Sequence, residues 1–204
     1  MRMTKRDMEV LKFINDVGYC TAVQLARRFG LNMRWMYKLM KRLVNGGLVG
    51  HTRIYFKNPG VYFLTLQGSR FTSLSMIDGI SKGVYDHQLM LVDLVIKLRE
   101  VYPDSTMVCE RHLKQQKFQY GIGKLGHIAD GVLIFPDDKK VAIELELSMK
   151  GKQRLEKIFR AYGAQLNISE VWYFCVDEVR RGVSALSERK SFIKVFSLKE
   201  FLHG

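Results

Sequence analysis

Apolar residues recur at helical spacing through the first part of the chain. Val10, Leu11, Ile14 and Val17 form one stripe, preceded by Thr4 and Asp7 in a capping-box arrangement and followed by Gly18. Thr21 and Gln24 form a second capping box. Ala22, Leu25, Ala26 and Phe29 supply the buried face behind it, and Gly30 closes that helix. Asn32 is a good N-cap for a third stripe of Met33, Met36, Tyr37, Met40, Leu43 and Val44. On this count Tyr37 belongs to the core. The opposite face carries Arg34, Lys38, Lys41 and Asn45, with Trp35 and Arg42 at its margins. After Gly46 and Gly47 the period changes to alternation. Residues 48–56 and 60–66 predict two strands, joined by Lys57-Asn58-Pro59-Gly60, which has turn chemistry. Residues 67–83 predict a short helix and then a glycine-bearing connection, with a domain boundary near residue 80.

Beyond it, residues 85–103 predict a helix with Leu89, Val92 and Ile96 buried and Pro103 as its stop. Strands are predicted over 105–113, 127–135 and 140–148, with Pro136-Asp137-Asp138 turning the chain between the last two. Residues 115–126 are polar and glycine-bearing, and predict a loop. Residues 152–166 predict a helix with Leu155, Ile158, Phe159, Tyr162 and Leu166 at core spacing. The nearly unbroken apolar run 170–176 predicts a buried central strand. A helix near 179–189, a strand over 192–197 and a terminal helix over 198–203 complete the pattern.

Three short helices with a tight turn before the third follow the helix-turn-helix plan. With the hairpin behind them, residues 4 to 68 resemble the winged-helix DNA-binding family. That resemblance implies that the third helix enters the major groove, where polar side chains meet base edges. Asn32, Arg34, Trp35, Lys38, Lys41 and Arg42 are the DNA-binding residues expected there. Arg53 and Lys57 on the wing are expected to reach a flanking backbone or minor groove.

The later order of helix, three strands, helix, strand, then helix and strand resembles the core of the PD-(D/E)xK nuclease superfamily. The fold class expected is α+β. A winged helix-turn-helix domain (1–75) and a linker (76–83) precede an α/β restriction-endonuclease-like domain with a mixed central sheet (84–204). Within the superfamily, the whole chain resembles the replication-relaxation family of plasmid and mobile-element proteins. The matching stretches are "GVYFLTLQGSRF", "HIADGVLIF" and "VAIELELSMKGKQRLEKIFRAY". The resemblance implies a regulator or accessory factor acting on plasmid DNA, in replication, transfer or transcription, rather than a proven nuclease.

Charge sharpens the division. The formal net charge is +13. Residues 1–75 hold 13 Lys and Arg against 3 Asp and Glu, whereas residues 76–204 hold 20 against 17. A basic excess concentrated in the first part points to a polyanion partner, here double-stranded DNA. The remaining partners expected are a second copy of the chain and a relaxase or replication protein. No apolar run is long enough to span a bilayer and the N-terminus lacks the apolar core of a signal peptide, so a cytoplasmic protein without membrane contact is expected. Cys20, Cys109 and Cys175 are odd in number and far apart, which predicts reduced, buried thiols and no zinc spacing.

The acidic residues of the later part carry the candidate chemistry. Alternation along a strand places Glu144, Glu146 and Ser148 on one face and Ile143, Leu145 and Leu147 on the other. Asp130 sits in the neighbouring predicted strand, and Glu110 ends the one before. Paired as the resemblance implies, Glu110, Asp130, Glu144 and Glu146 converge as a metal set. Clustered carboxylates repel, and Mg²⁺ relieves that repulsion with oxygen ligands. Such an ion activates water and stabilises a leaving phosphodiester oxygen. The superfamily motif is Asp, then Glu-x-Lys. Asp130 and Glu144 match it, Glu146 stands at the lysine position, and Lys150 or Lys152 are the candidate replacements. Three readings stay open: a Mg²⁺-dependent endonuclease targeted by its winged helix, a nuclease-like platform with the site disabled, and salt bridges from the glutamates to Lys152, Arg154 or Lys157. "GIGK" (Gly121 to Lys124) is too short for a phosphate loop, and His87 and His127 are expected to be hydrogen-bonded residues near the cleft.

Overall fold

The computed structural model describes residues 2–119 and 127–204. The chain is a mixed α and β protein with a three-stranded and a five-stranded sheet among the described residues. It divides into two compact units, one ending at Ile96 and the other beginning at Lys97.

The first unit opens with α1 (Lys5–Val17), β1 (Tyr19–Thr21), α2 (Ala22–Phe29) and α3 (Met33–Asn45). Both predicted capping boxes form. Thr4 and Asp7 exchange side-chain and backbone bonds at the head of α1, and Thr21 and Gln24 do so at the head of α2. Asn32 accepts from the Trp35 N–H at 3.0 Å. Gly30 ends α2 in the left-handed region (φ 61°), which a side chain would disfavour, and its N–H returns to the carbonyls of Ala26 and Arg27. β2 (Val49–Thr52) and β3 (Val61–Leu64) follow. The sheet order is β1-β3-β2, antiparallel throughout. The three-residue β1 carries no alternation long enough to be read from sequence. α4 (Leu66–Ser69) packs so close to Leu48, the residue before β2, that a Cβ on Gly68 would lie 1.9 Å from the Leu48 carbonyl oxygen.

α5 (Tyr85–Val101) starts within this unit and runs across the division. The unit thus extends further along the chain than the boundary expected near residue 80. Side chains of the first unit hold the front of the helix. Gln24 donates to the Leu89 carbonyl at 2.8 Å and to Asp93 at 3.1 Å, Arg27 pairs with Asp93 at 3.0 Å, and Gln88 donates to the Val17 carbonyl at 2.6 Å. Tyr85 is fully buried and stacks on Tyr19 with ring centroids 5.9 Å apart.

The second unit contains β4 (Thr106–Cys109), α6 (Glu110–Gln119), β5 (Gly131–Ile134), β6 (Lys140–Glu146), α7 (Lys152–Gly163), β7 (Glu170–Cys175), α8 (Asp177–Ser187), β8 (Ile193–Ser197) and α9 (Leu198–His203). The strand order is β4-β5-β6-β7-β8. The first three strands are antiparallel; β6, β7 and β8 run parallel. Leu155, Ile158, Phe159 and Tyr162 of α7, with Val179 and Val183 of α8, pack with Ala142, Val171, Tyr173 and Cys175 of the sheet. The other face gathers the rings of Tyr102, Phe135, Trp172, Phe174, Phe196 and Phe201, in edge-on and tilted contacts with one stacked pair, Phe174 and Phe196.

Four local expectations are corrected. The strand predicted over 105–113 stops at Cys109, and Glu110 opens a helix where a strand end and then a loop were expected. An acidic side chain in the first helical turn is favoured by the helix dipole. Tyr37 is 54% exposed rather than core. The stripe that α3 buries is narrower, Met36, Met40 and Leu43. Leu166 lies beyond the end of α7 and is fully exposed, not packed. All three cysteines are buried, as expected. Residues 121–124 lie outside the described residues. Among the described residues, no helix is long and apolar enough to cross a membrane.

Candidate nucleic-acid interface and carboxylate cluster

The surface of α3 follows from its narrow buried stripe. Arg34, Lys38 and Lys41 recur at helical spacing on the face away from Met36, Met40 and Leu43, and all three are exposed. Tyr37 lies between Arg34 and Lys41 on that face. Trp35 is also exposed, and the Lys38 ammonium sits 5.2 Å from its ring centroid. Asn32 spends its side-chain oxygen on the cap, which leaves its amide nitrogen for other contacts. Arg42 reaches back to the fully buried Asp7 of α1. It therefore fixes α1 against α3, and Asp7 is a partner that the sequence reading had placed only as a cap. Arg53 and Lys57 are exposed on the loop from β2 to β3. Between Asp16 and Asp78 the chain contains no Asp or Glu and nine Lys or Arg. Asp7 and Asp93, from outside that stretch, pair with Arg42 and Arg27, and with no acidic residue among them in sequence the fields of Arg34, Lys38 and Lys41 add.

The carboxylates of the second unit have different surroundings. β6 alternates as expected, but the face carrying Glu144 and Glu146 is the one that α7 and α8 cover. The two residues are 1% and 3% exposed. Burial of an ionised carboxylate demands partners, and each has them. Glu144 Oε1 receives the Tyr162 hydroxyl of α7 and lies 2.6 Å from His127 Nε2. Burial raises the Tyr162 phenol far above its ordinary value, and Glu144 adds to the effect, so the phenol keeps its proton and donates it. Glu146 pairs with Lys150, four residues on. Asp130 Oδ2 accepts from the Leu145 N–H at 2.8 Å, which ties the entry to β5 onto β6. Tyr173 on β7, opposite Glu144, is fully buried, and its hydroxyl has no hydrogen-bond partner among the described residues. Its pKa is raised by burial, then by Glu144 and Glu146. Cys175, opposite Glu146, is pushed up to about 12 by burial and then by Glu146.

The structure therefore brings Asp130, Glu144, Glu146 and Lys150 to one part of the sheet. Glu110 turns to Lys114 at 2.6 Å, and Lys152 is exposed at the start of α7. The partners that Glu144 and Glu146 meet include His127, Tyr162 and Lys150. His87 belongs to α5 in the other unit. Among the described residues, no group of three or more His, Cys, Asp or Glu side chains is arranged to hold a metal ion. One oxygen of each carboxylate is engaged: Glu144 Oε1 by a phenol and an imidazole, Glu146 Oε1 by an ammonium, and Asp130 Oδ2 by a backbone N–H.

Comparison with known proteins adds little. No family profile matches the chain, and no curated protein matches it. Among solved structures, the chain aligns with one titled "PigF with SAH" at 11% identity, covering 96% of this chain and 66% of that chain. The TM-score of 0.22 is too low for the likeness to carry an argument.

Proposed function

We propose that the chain is a sequence-specific double-stranded DNA-binding protein, in which the first unit is a winged helix-turn-helix and α3 is its recognition helix. The observation that carries this reading is the exposed row Arg34, Lys38 and Lys41 on α3, set in a stretch without acidic residues. Two capped helices precede it, and the hairpin of β2 and β3 follows. An element of this width fits the major groove, and arginine and lysine are the side chains that read guanine edges there or neutralise phosphates. The second unit serves as a nuclease-like platform of the PD-(D/E)xK type that dimerises, recruits a replication or transfer protein, or adds DNA contacts. Its buried glutamates are occupied by Tyr162, His127 and Lys150, which suits a structural role. The biological role that follows is regulator or accessory factor of a plasmid or mobile element, in line with the replication-relaxation resemblance.

The test is affinity for a duplex that the wild-type protein retains from a randomised pool. Arg34→Ala and Lys38→Ala are each expected to weaken binding by about 1–3 kcal/mol. Unchanged affinity in both would reject α3 as the recognition helix.

A further inference from the structure

The loop from β2 to β3 displays an aromatic side chain. Phe56 is 90% exposed. Its neighbours are anchored. Ile54 packs against the cluster of Tyr19, Val61 and Tyr85. The Tyr55 ring stands edge-on to Tyr85 at 5.4 Å, and its hydroxyl donates to the Lys82 carbonyl at 3.4 Å. The Asn58 N–H closes a turn onto the Tyr55 carbonyl at 3.1 Å. The Tyr85 hydroxyl donates to the Pro59 carbonyl at 3.4 Å. Both shoulders of the turn are thus tied to the body of the unit, and Phe56 stands at its apex.

A lone exposed apolar residue is ordinary on a protein surface. Phe56 differs in two respects. A hydrogen-bonded and ring-packed turn holds it out, so it does not fold back onto its neighbours. Its flanks are cationic, with Arg53 and Lys57 exposed on the same loop and no acidic residue in this stretch of the chain. An apolar protein partner would call for a contiguous apolar patch. An aromatic tip between cations instead matches a nucleic acid, whose phosphates take the charges and whose bases take the ring.

We infer that Phe56 is a wedge that enters a base step in the minor groove of bound duplex DNA, with Arg53 and Lys57 on the flanking phosphates. The inference rests on the DNA-binding reading above and adds a deformation of the duplex to it. Insertion unstacks one step and bends the helix axis, in exchange for contact with the ring.

The experiment is permanganate footprinting of unstacked thymines, together with end-to-end energy transfer across the duplex. Both use the DNA retained by the full-length wild-type protein. One reactive step beside the wing contact and a shortened end-to-end distance are expected. Phe56→Ala abolishes both and loosens binding by about tenfold. Phe56→Leu, a smaller wedge, retains the reactive step. Because the side chain is solvated, neither variant should alter the circular dichroism of the protein. Wild-type protein that binds the duplex without a reactive step overturns the wedge and leaves the recognition helix standing. So does a Phe56→Ala variant that keeps the reactivity, or one that binds DNA unchanged while losing self-association. Wild-type protein that retains no duplex overturns both readings.

Discussion

Glu144 shows what a single buried carboxylate does for this fold. A buried carboxylate with one oxygen shared by a phenol and an imidazole holds three elements together: β6, α7 and the segment before β5. Tyr162→Phe removes one donor and leaves the buried carboxyl group under-satisfied, which is expected to cost about 1–3 kcal/mol in urea unfolding. Because His127 meets the same oxygen, Tyr162→Phe and His127→Ala should be non-additive in a double-mutant cycle. Glu170 gives the pH dependence. Burial alone would raise its pKa, but bonds from Lys139, Lys194 and Trp172 hold it at about 2, below the ordinary 4.5. A depressed carboxylate stabilises the fold above its unfolded value, and that contribution is lost as pH falls from about 4.5 through about 2. After allowance for solvent screening, Glu170→Gln is expected to lower stability at neutral pH by about 1 kcal/mol and to flatten the acid limb in that window. An unchanged acid limb would show that the three donors do not act on Glu170 in this way. Neither Glu144 nor Glu170 advertises its partners in the sequence. His127 and Tyr162 are distant in the chain, and Tyr162 reads as an ordinary core aromatic until its hydroxyl is placed.

At the level of the element, helices bounded by caps were legible and strand ends were not. Thr4, Thr21 and Asn32 announce α1, α2 and α3 because a side-chain oxygen must meet an otherwise orphan N–H. Thr21→Ala is expected to cost about 1 kcal/mol. Gln24→Ala should cost more, since Gln24 also donates to the Leu89 carbonyl and to Asp93. The width of a buried stripe was harder to read. Tyr37 is apolar enough to join a helical count and polar enough to sit in water. On α3, Met40→Ala is therefore expected to destabilise by about 2–5 kcal/mol. Tyr37→Ala should change stability by no more than about 0.5 kcal/mol. A large loss for Tyr37→Ala in thermal unfolding would return that ring to the core. The sequence also concealed the switch at Glu110. β4 passes into α6 without a glycine or proline, and the first-turn acid was the one available signal.

For the whole molecule, the division of charge was the most informative sequence feature, and the three-dimensional arrangement gives it a location. The basic stretch folds into one unit that presents α3 and the β2–β3 loop, while the near-neutral remainder forms a mixed sheet with two parallel crossovers through α7 and α8. The acidic motif was legible as a pattern, yet its burial depended on which sheet face the helices cover, and alternation alone does not choose that face. The central claim, that the first unit binds DNA through α3, meets its most direct test in the salt dependence of duplex binding, read by fluorescence anisotropy. Wild-type affinity should fall linearly on a log–log plot, and alanine at Arg34, Lys38 and Lys41 together should reduce the slope by up to about 0.9 for each phosphate contact removed. Equal slope and equal affinity in the two proteins would contradict the claim.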